Sequence, residues 1–238
     1  TQNMRLFISG SAPLLAETHK QFQDRTGHRI LERYGMTETN MNTSNPYDGD
    51  RRAGTVGVPL PGVEVKVCDP ETGAALPDGE IGVLEVRGPN VFKGYWQMPE
   101  KTREELREDG FFITGDLAMR DADGYITIVG RGKDLIISGG YNIYPKEIEL
   151  VLDDQDGVLE SAVIGVAHPD FGETVVAVLV AEQGAALDES ALKRAVSEDL
   201  AKFKHPRSYQ IVDELPRNTM GKVQKNILRD RYAGLFAT

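Results

Sequence analysis

The stretch Arg131-Gly-Lys-Asp-Leu-Ile-Ile-Ser-Gly-Gly-Tyr-Asn-Ile-Tyr-Pro-Lys-Glu-Ile-Glu149 divides the chain into two regions with different sequence patterns. It opens with a glycine-rich turn, continues through the apolar Leu135-Ile-Ile137, and reaches a bare Ser138-Gly139-Gly140 before an amphipathic run that starts at Pro145. Glycine lets a backbone turn sharply and approach a partner closely. We therefore interpret the stretch as a hinge followed by a loop with exposed backbone, lying between two domains.

The upstream residues 1–56 show the pattern of a parallel α/β unit. Leu6-Phe-Ile8 and Arg29-Ile-Leu-Glu-Arg33 are short strand-like runs. Between them, apolar residues at helical spacing predict a helix from Leu14 to about Thr26. A strand, a helix and a strand in this order are typical of a parallel sheet, in which ligands bind beyond the carboxyl ends of the strands.

Residues 57–131 are rich in short strands. Alternating and β-branched residues predict strands over residues 63–68, 81–87, 111–113, 117–119 and 125–129, with a short polar helix from Pro99 to Arg107. Several short strands punctuated by Gly and Pro are typical of small barrels or sandwiches. We expect a small distorted β-barrel in this region.

Residues 132–238 alternate helices with apolar strands. Helices are predicted over 145–152 and 188–201 and from about Val223, and strands over 159–166, 174–181 and 209–212. This pattern predicts a compact α+β domain of about 100 residues. The sequence thus predicts an α/β and α+β protein: the end of a parallel-sheet subdomain (1–56), a small barrel (57–131) and a C-terminal α+β domain (132–238), with a hinge near Lys133.

The composition argues against several classes of function. With 27 basic and 37 acidic residues the formal net charge is −10, which disfavours general binding to nucleic acid or to an anionic membrane. The single Cys68 excludes an internal disulfide, and its place in an alternating strand pattern favours a buried structural thiol over a nucleophile. No apolar run approaches the ~20 residues of a membrane span and no signal pattern is present, so we expect a cytoplasmic protein.

Two turns carry groups suited to a nucleotide. Tyr34-Gly-Met-Thr-Glu38 offers a ring for stacking, a glycine for close approach, a hydroxyl for a phosphate and a carboxylate for Mg²⁺. A capped turn with a surface acid would explain the same residues. Asp116, which follows Thr114-Gly115 at the end of a predicted strand, could accept hydrogen bonds from ribose hydroxyls or be an ordinary turn aspartate. Residue chemistry alone leaves both choices open.

A charge reversal marks the C-terminal region. Residues 202–231 contain eight Lys and Arg against three acids. A solvated helix face accounts for the basic residues of the last predicted helix, but it accounts poorly for the turn-rich Pro216-Arg-Asn-Thr-Met-Gly-Lys222. A lysine held just after a glycine can bring a compact positive charge to a phosphate or a developing oxyanion.

Six ordered motifs resemble the later motifs of the adenylate-forming enzymes, the superfamily of acyl-CoA synthetases, peptide-synthetase adenylation domains and firefly luciferase. The resemblance covers essentially all 238 residues. Within the superfamily, the segments 32–45, 88–95 and 215–225 are most similar to malonyl-CoA synthetases. The motifs are Gly10-Ser-Ala-Pro13, Tyr34-Gly-Met-Thr-Glu38, Gly79-Glu-Ile-Gly82 with Gly94-Tyr95, Thr114-Gly-Asp116, Gly130-Arg-Gly-Lys-Asp134 with Gly139-Gly-Tyr-Asn142, and Pro216 to Lys222.

The resemblance implies an AMP-forming acid–thiol ligase that uses ATP, Mg²⁺ and coenzyme A. A carboxylate would attack ATP to give an acyl-adenylate, and the CoA thiol would then displace AMP. Lys222 would stabilise charge in the first step, and a lid domain would rotate at Lys133 between the steps. The remaining implied roles are nucleotide binding by Gly10, Ser11, Ala12, Pro13, Tyr34, Gly35, Met36, Asp116 and Arg131, phosphate contact by Thr37, Mg²⁺ binding by Glu38, and CoA binding by Gly139, Gly140 and Tyr141.

The choice of acid depends on Arg33, which directly precedes the Tyr34 motif. We expect Arg33 to pair with the second carboxylate of malonate, because a fatty-acid pocket would not accommodate a buried cation. A surface arginine at a strand end is the alternative, and another short carboxylate is the alternative substrate.

One element of the resemblance is missing. No glycine-rich phosphate loop with its lysine occurs in the sequence, so the chain resembles the C-terminal half of a synthetase about twice as long. Alone it is expected to be inactive, either as part of a longer enzyme or as a non-catalytic module that binds nucleotide or CoA. Lys222, in its loop, also resembles lysines that acetylases silence in relatives, so a lysine acetylase is a possible partner.

Overall fold

The structure is a computed structural model that describes residues 1, 3–10, 14, 16–219 and 221–236. These residues form two compact units, 1–132 and 133–238. The boundary falls beside Lys133, where the sequence predicts a hinge. Within the described ranges, no helix has both the length and the apolar character needed to cross a bilayer.

The first sheet of the upstream unit joins β1 (Ile8–Ser9), β2 (Leu31–Met36), β3 (Asn40–Ser44) and β4 (Val58–Pro59) in that order. The strands β1 and β2 are parallel, and α1 (Ala16–Thr26) connects them. The predicted strand–helix–strand unit is therefore confirmed. The later pairs, β2 with β3 and β3 with β4, are antiparallel.

Helix α1 is fastened to β2 through a buried polar pair. His19 Nδ1 lies 3.2 Å from Glu32 Oε1, and both residues are buried. Burial raises the pKa of the Glu32 carboxyl, against the opposing effects of His19 and the Gly54 N–H. Because residues two apart on a strand share a face, this contact fixes the strand just before Tyr34.

The second sheet is an antiparallel meander of β5 (Glu64–Cys68), β6 (Ile81–Arg87), β7 (Phe112–Arg120) and β8 (Ile126–Arg131), with α2 (Pro99–Glu105) between β6 and β7 in the chain. The small distorted β-barrel predicted for this region is an open sheet: among the described residues, β5 and β8 are the sheet edges and do not pair. The edge of β8 is instead covered by residues 56–57, since Ile126 exchanges two 2.8 Å backbone hydrogen bonds with Val56 and Gly57.

A bulge in β7 places the Thr114-Gly-Asp116 motif. Val83 pairs with Leu117 and Glu85 pairs with Ile113, so β7 has three residues where β6 has one. Gly115 adopts φ +71° there, a conformation that favours glycine. The two short strands predicted on either side of this motif therefore form one strand, and Asp116 lies inside it rather than at its end.

The downstream unit is built on one five-stranded sheet. The helices are α3 (Pro145–Asp153), α4 (Glu189–Asp199) and α5 (Lys225–Tyr232). The strands are β9 (Ile136–Ser138), β10 (Tyr141–Ile143), β11 (Val158–His168), β12 (Gly172–Ala181) and β13 (Ser208–Val212). The order is β10-β9-β12-β11, and β13 pairs in parallel with β12.

Strand β12 is buried on both faces, which explains its unbroken apolar run. Val175, Ala177 and Leu179 pack with residues of α3 and α4 in one cluster. Val176, Val178 and Val180 pack in a second cluster that contains Leu228 of α5. The helices thus cover the sheet from both sides, as expected for a continuous hydrophobic strand.

Candidate active site

In the upstream unit, the described structure brings together Tyr34, Asp116 and Arg131. Tyr34 Oη donates a 2.5 Å hydrogen bond to Asp116 Oδ2. Arg131 Nε lies 3.1 Å from Asp116 Oδ1, because the two residues are partners across β7 and β8. Asp116 is only 4% exposed, and its buried carboxylate contacts both the Tyr34 phenol and the Arg131 guanidinium.

The tyrosine of this trio is kept protonated. Burial and the neighbouring Asp116 carboxylate raise the pKa of Tyr34 well above its usual range. A protonated phenol donates to Asp116, while the Arg131 side chain remains half exposed. A carboxylate oxygen can accept more than one hydrogen bond, so a carboxylate is a suitable acceptor for hydroxyl groups.

The segment 34–38, predicted as a turn, is the tight end of the β2–β3 hairpin. Tyr34, Gly35 and Met36 belong to β2, and Gly35 and Met36 pair with Met41 and Asn40 of β3. A Cβ atom on Gly35 would lie 2.0 Å from the Asn40 carbonyl oxygen, so this position requires glycine. Thr37 at the tip is exposed and Glu38 is partly buried.

Glu38 is contacted by Tyr95, for which the sequence predicts no role. Tyr95 Oη lies 3.2 Å from Glu38 Oε1 and 2.5 Å from Glu105 Oε2. Phe92 supports the ring in an edge-on contact with a centroid distance of 4.8 Å. In the sequence, Tyr95 was marked only by its place in the Gly94-Tyr95 motif. Its contact with Glu38 could not be predicted, because the two residues are 57 positions apart.

Gly10, which directly follows β1, lies beside Arg33 of β2. A Cβ atom on Gly10 would approach Arg33 Cγ to 2.9 Å and the Arg33 carbonyl oxygen to 3.1 Å. The side chain of Arg33 is exposed, and no acid of the described residues pairs with it. The predicted nucleotide-binding residues Ser11, Ala12 and Pro13 lie outside the described residues.

In the downstream unit, Gly139 and Gly140 form the turn of a β-hairpin. Ser138 pairs with Tyr141, and the two glycines have φ of +56° and +82°. Positive φ at both central residues is the requirement of a type I′ turn. The glycine pair therefore has a local structural reason, apart from any ligand. Tyr141 stacks on Phe203 with ring centroids 4.6 Å apart.

Lys133 lies in a short 3-10 helix, Gly132–Asp134, at the unit boundary. Directly after it, Asp134 Oδ1 accepts a 2.9 Å hydrogen bond from Arg229 of α5. The chain is thus attached to the downstream unit one residue beyond Lys133, which suits a pivot at or just before this position.

Lys222 is exposed at the end of the loop that begins at Pro216. Its backbone is held by Asn218, whose side-chain oxygen accepts a 3.0 Å hydrogen bond from the Lys222 N–H. Its ammonium group makes no salt bridge with a described residue. An exposed cation on a fixed backbone is suited to meeting an anionic ligand.

The oxygen groups of Thr37 and Glu38 fit a cation that is also bound by substrate phosphates better than a metal centre built from protein ligands alone. Among the described residues, no three His, Cys, Asp or Glu side chains cluster as metal ligands. Mg²⁺ commonly takes one or two carboxylates and completes its shell with water and substrate phosphates. Glu38, with Thr37 beside it, is compatible with such a site.

Two family models match the chain. The model of AMP-binding enzymes matches residues 1–96, and the model of the AMP-binding enzyme C-terminal domain matches residues 147–222. Together they span more than two thirds of the chain. The chain belongs to the AMP-binding enzyme family.

Among AMP-binding enzymes, the crystal structure of ATP-bound MatB from Rhodopseudomonas palustris is similar with a TM-score of 0.97 and 64% identity, over 99% of this chain and 47% of that one. A malonate–CoA ligase from Arabidopsis thaliana is 43% identical over 96% of this chain and 39% of its own length. A sulfoacetate–CoA ligase from Cupriavidus necator is 42% identical over 93% and 44%. The chain spans less than half the length of each of these proteins.

The two family matches divide the candidate residues. Gly10, the Tyr34–Glu38 hairpin and Tyr95 lie in the first match, and Lys222 is the last residue of the second. Asp116, Arg131 and the Gly139–Gly140 turn lie between them. The roles of all these residues remain predictions.

Proposed function

We propose that this member of the AMP-binding enzyme family is the C-terminal part of an AMP-forming malonate–CoA ligase. A malonate oxygen attacks the α-phosphorus of ATP, and pyrophosphate leaves. The CoA sulfur then attacks the acyl carbon of malonyl-adenylate, and AMP leaves. Similarity to MatB and to a malonate–CoA ligase supports this assignment.

The observation that carries the proposal is the Tyr34–Asp116–Arg131 trio. A buried carboxylate oriented by two donors is suited to accepting the hydroxyls of a ribose. Gly10, Gly35 and Met36 are assigned to the same nucleotide from the motif resemblance, since Arg33 and Asn40 fill the space beside the two glycines. Arg131, with its half-exposed guanidinium, adds a positive charge for ribose or phosphate.

The stabilisation of negative charge in the adenylation step is assigned to Lys222 and, through Mg²⁺, to Glu38. The Lys222 ammonium, unpaired among the described residues, would contact both the attacking carboxylate and the α-phosphate. Glu38 would bind Mg²⁺, which when bound neutralises phosphate charge, and Thr37 would donate its hydroxyl to phosphate. Acetylation of Lys222 would remove this charge, and an acetylase acting here remains a prediction.

The thioester step is assigned to the hairpin of β9 and β10. The bare turn at Gly139 and Gly140 allows the pantetheine arm to approach the backbone, with Tyr141 beside it. Between the two steps, rotation near Lys133 would withdraw Lys222 from the reacting groups and bring this hairpin to them. The bond from Asp134 to Arg229 would make the downstream unit turn as one body.

Malonate is preferred because Arg33 has an exposed guanidinium and no acidic partner among the described residues. A second carboxylate on the substrate would complete a charge-assisted pair. Sulfoacetate, the substrate named for one relative, presents a second anionic group of the same charge and is the alternative short acid.

The test is substrate-dependent ATP–pyrophosphate exchange by the protein at its natural length, with malonate, methylmalonate, sulfoacetate and octanoate. Arg33→Ala is expected to lower kcat/KM for malonate by about 10²-fold, corresponding to the loss of one charged contact at about 2–3 kcal/mol, with little change in KM for ATP. Arg29→Ala, a surface arginine paired with Asp50, is the matched control. Equal malonate turnover by Arg33→Ala and parent contradicts the role of Arg33.

The 238-residue chain by itself is expected not to catalyse the exchange, since it lacks a phosphate-loop motif. Calorimetric titration of this chain with AMP and with CoA separates the remaining possibilities. If this chain binds AMP or CoA but the natural-length protein shows no exchange, the protein is a non-catalytic nucleotide- or CoA-binding module. Exchange by the natural-length protein supports the ligase.

A further inference from the structure

The loop from Pro216 to Lys225 closes on itself around Asn218. The Asn218 N–H donates to the Lys222 carbonyl at 3.0 Å, and the Asn218 side-chain oxygen accepts from the Lys222 N–H at 3.0 Å. The Gly221 N–H donates to the Asn218 carbonyl at 2.9 Å. One asparagine therefore satisfies both backbone groups of Lys222.

Arg217 connects the same turn to the sheet. Its Nη1 donates to the Gly221 carbonyl at 2.7 Å, and its Nη2 forms a short contact with the Glu160 carboxylate of β11. The planar guanidinium can make both bonds at once because its donors form a rigid fork. A lysine carries its donors on a single nitrogen and lacks this rigid fork.

The end of the loop is anchored as well. Lys225 Nζ lies 2.5 Å from Glu149 Oε1, and the same oxygen accepts from the Val163 N–H at 2.9 Å. The Gln224 N–H donates to the Pro216 carbonyl at 2.8 Å. Both ends of the loop are thus closed and tied to the buried side of the unit.

The side chain of Lys222 contrasts with this fixed backbone. It is exposed, and its ammonium forms no salt bridge with a described residue. A flexible side chain on a mobile loop would distribute its charge over many positions, whereas a fixed Cα confines it to the side-chain rotamers. Confinement of a charged group before reaction lowers the entropy lost in reaching the transition state.

We propose that Asn218 and Arg217 are positioning residues that hold the Lys222 backbone for acyl-adenylate formation. This rests on the proposed function, in which Lys222 acts in the first step and is withdrawn in the second. Asn218 acts through the Lys222 amide, and Arg217 acts through the Gly221 carbonyl. Neither residue is assigned a contact with substrate.

The experiment compares the two half-reactions in the protein at its natural length. Asn218→Ala removes the acceptor of the Lys222 amide and is expected to slow malonate-dependent ATP–pyrophosphate exchange by about threefold to tenfold in kcat. Asn218→Asp keeps an oxygen acceptor of the same shape and is expected to restore exchange to within about twofold. Asn226→Ala, an exposed asparagine of α5, is the matched control.

The second half-reaction supplies the discriminating readout. Conversion of synthetic malonyl-adenylate and CoA to malonyl-CoA is expected to proceed at the parent rate in Asn218→Ala and Arg217→Lys. Equal losses in both half-reactions, without recovery in Asn218→Asp, indicate a general structural role and overturn the proposal. Parent-like exchange by Asn218→Ala overturns it too.

A third measurement distinguishes failure of this inference from failure of the proposed function. In the 238-residue chain, Asn218→Ala is expected to accelerate hydrogen exchange of the Lys222 amide by about tenfold or more, measured by NMR. Unchanged amide exchange refutes the positioning role, whatever the activity. If amide exchange rises but Lys222→Ala leaves pyrophosphate exchange intact, the loop geometry stands and the catalytic assignment of Lys222 falls.

Discussion

Replacing Tyr34 with phenylalanine tests the centre of the candidate nucleotide site. The change deletes only the oxygen that donates to Asp116 Oδ2 at 2.5 Å. Asp116 is 4% exposed, so water cannot easily replace the lost donor. Hydrogen bonds to charged groups contribute about 1.5–3 kcal/mol. Because Arg131 still contacts the other carboxylate oxygen, we expect a loss of about 2 kcal/mol in the free energy of unfolding.

Native-state hydrogen exchange of the β7 and β8 amides measures this loss for the upstream unit alone. Tyr47→Phe is the control: Tyr47 is 50% exposed and its hydroxyl makes no hydrogen bond to a described residue, so its removal should cost less than about 0.5 kcal/mol. In an Asp116→Asn background, the cost of Tyr34→Phe should fall by about 1 kcal/mol. A loss under about 0.5 kcal/mol in the parent, or an identical loss in both backgrounds, refutes the reasoning.

Two further predictions concern the downstream unit. Gly139→Asn should leave the unfolding free energy within about 0.5 kcal/mol, since Asn-Gly is favoured in type I′ turns. It should nevertheless slow thioester formation from malonyl-adenylate if CoA approaches the bare turn, and an unchanged rate contradicts that assignment. For Tyr209, burial and then Glu189 raise the pKa to about 12. Its stabilising contribution is therefore present below pH ~10, the unfolded value, and is lost as pH rises towards 12. Absorbance titration at 295 nm should show a tyrosine that ionises near pH 12 and is missing in Tyr209→Phe, and an identical curve for the variant counts against it.

The hydrophobic periodicity of the sequence correctly predicted those helices and strands whose own residues show a regular apolar pattern. The run Leu6–Arg33 gave the correct parallel strand–helix–strand unit, because short apolar strands and an amphipathic helix are encoded locally. The apolar run in β12 was predicted for the same reason. The hairpin after Tyr34 was expected to be a loop, since its glycine and polar residues lack strand character. Its pairing depends on the close approach of Asn40 to Gly35, which no local pattern reports.

Long-range contacts explain the remaining differences. The bulge in β7 was interpreted as the end of a strand, because Gly115 interrupts the apolar alternation, and the strand continues only through its pairing with β6. The barrel was predicted from the number of short strands. In the described residues the edge strand β8 bonds to residues 56–57 and does not pair with β5. Tyr34 and Asp116 were identified separately, and their contact joins positions 82 residues apart. Tyr95 and Asn218 received no role, since their partners are visible only in the folded chain.

Transfer of an oxygen isotope tests the central claim most directly. The protein at its natural length is supplied with ATP, Mg²⁺, CoA and malonate labelled with ¹⁸O in both carboxylates, and the nucleotide product is analysed by mass spectrometry. Attack by the carboxylate on the α-phosphorus, followed by thiolysis at the acyl carbon, predicts AMP carrying one ¹⁸O. Unlabelled AMP, or ¹⁸O found in inorganic phosphate beside ADP, contradicts an acyl-adenylate.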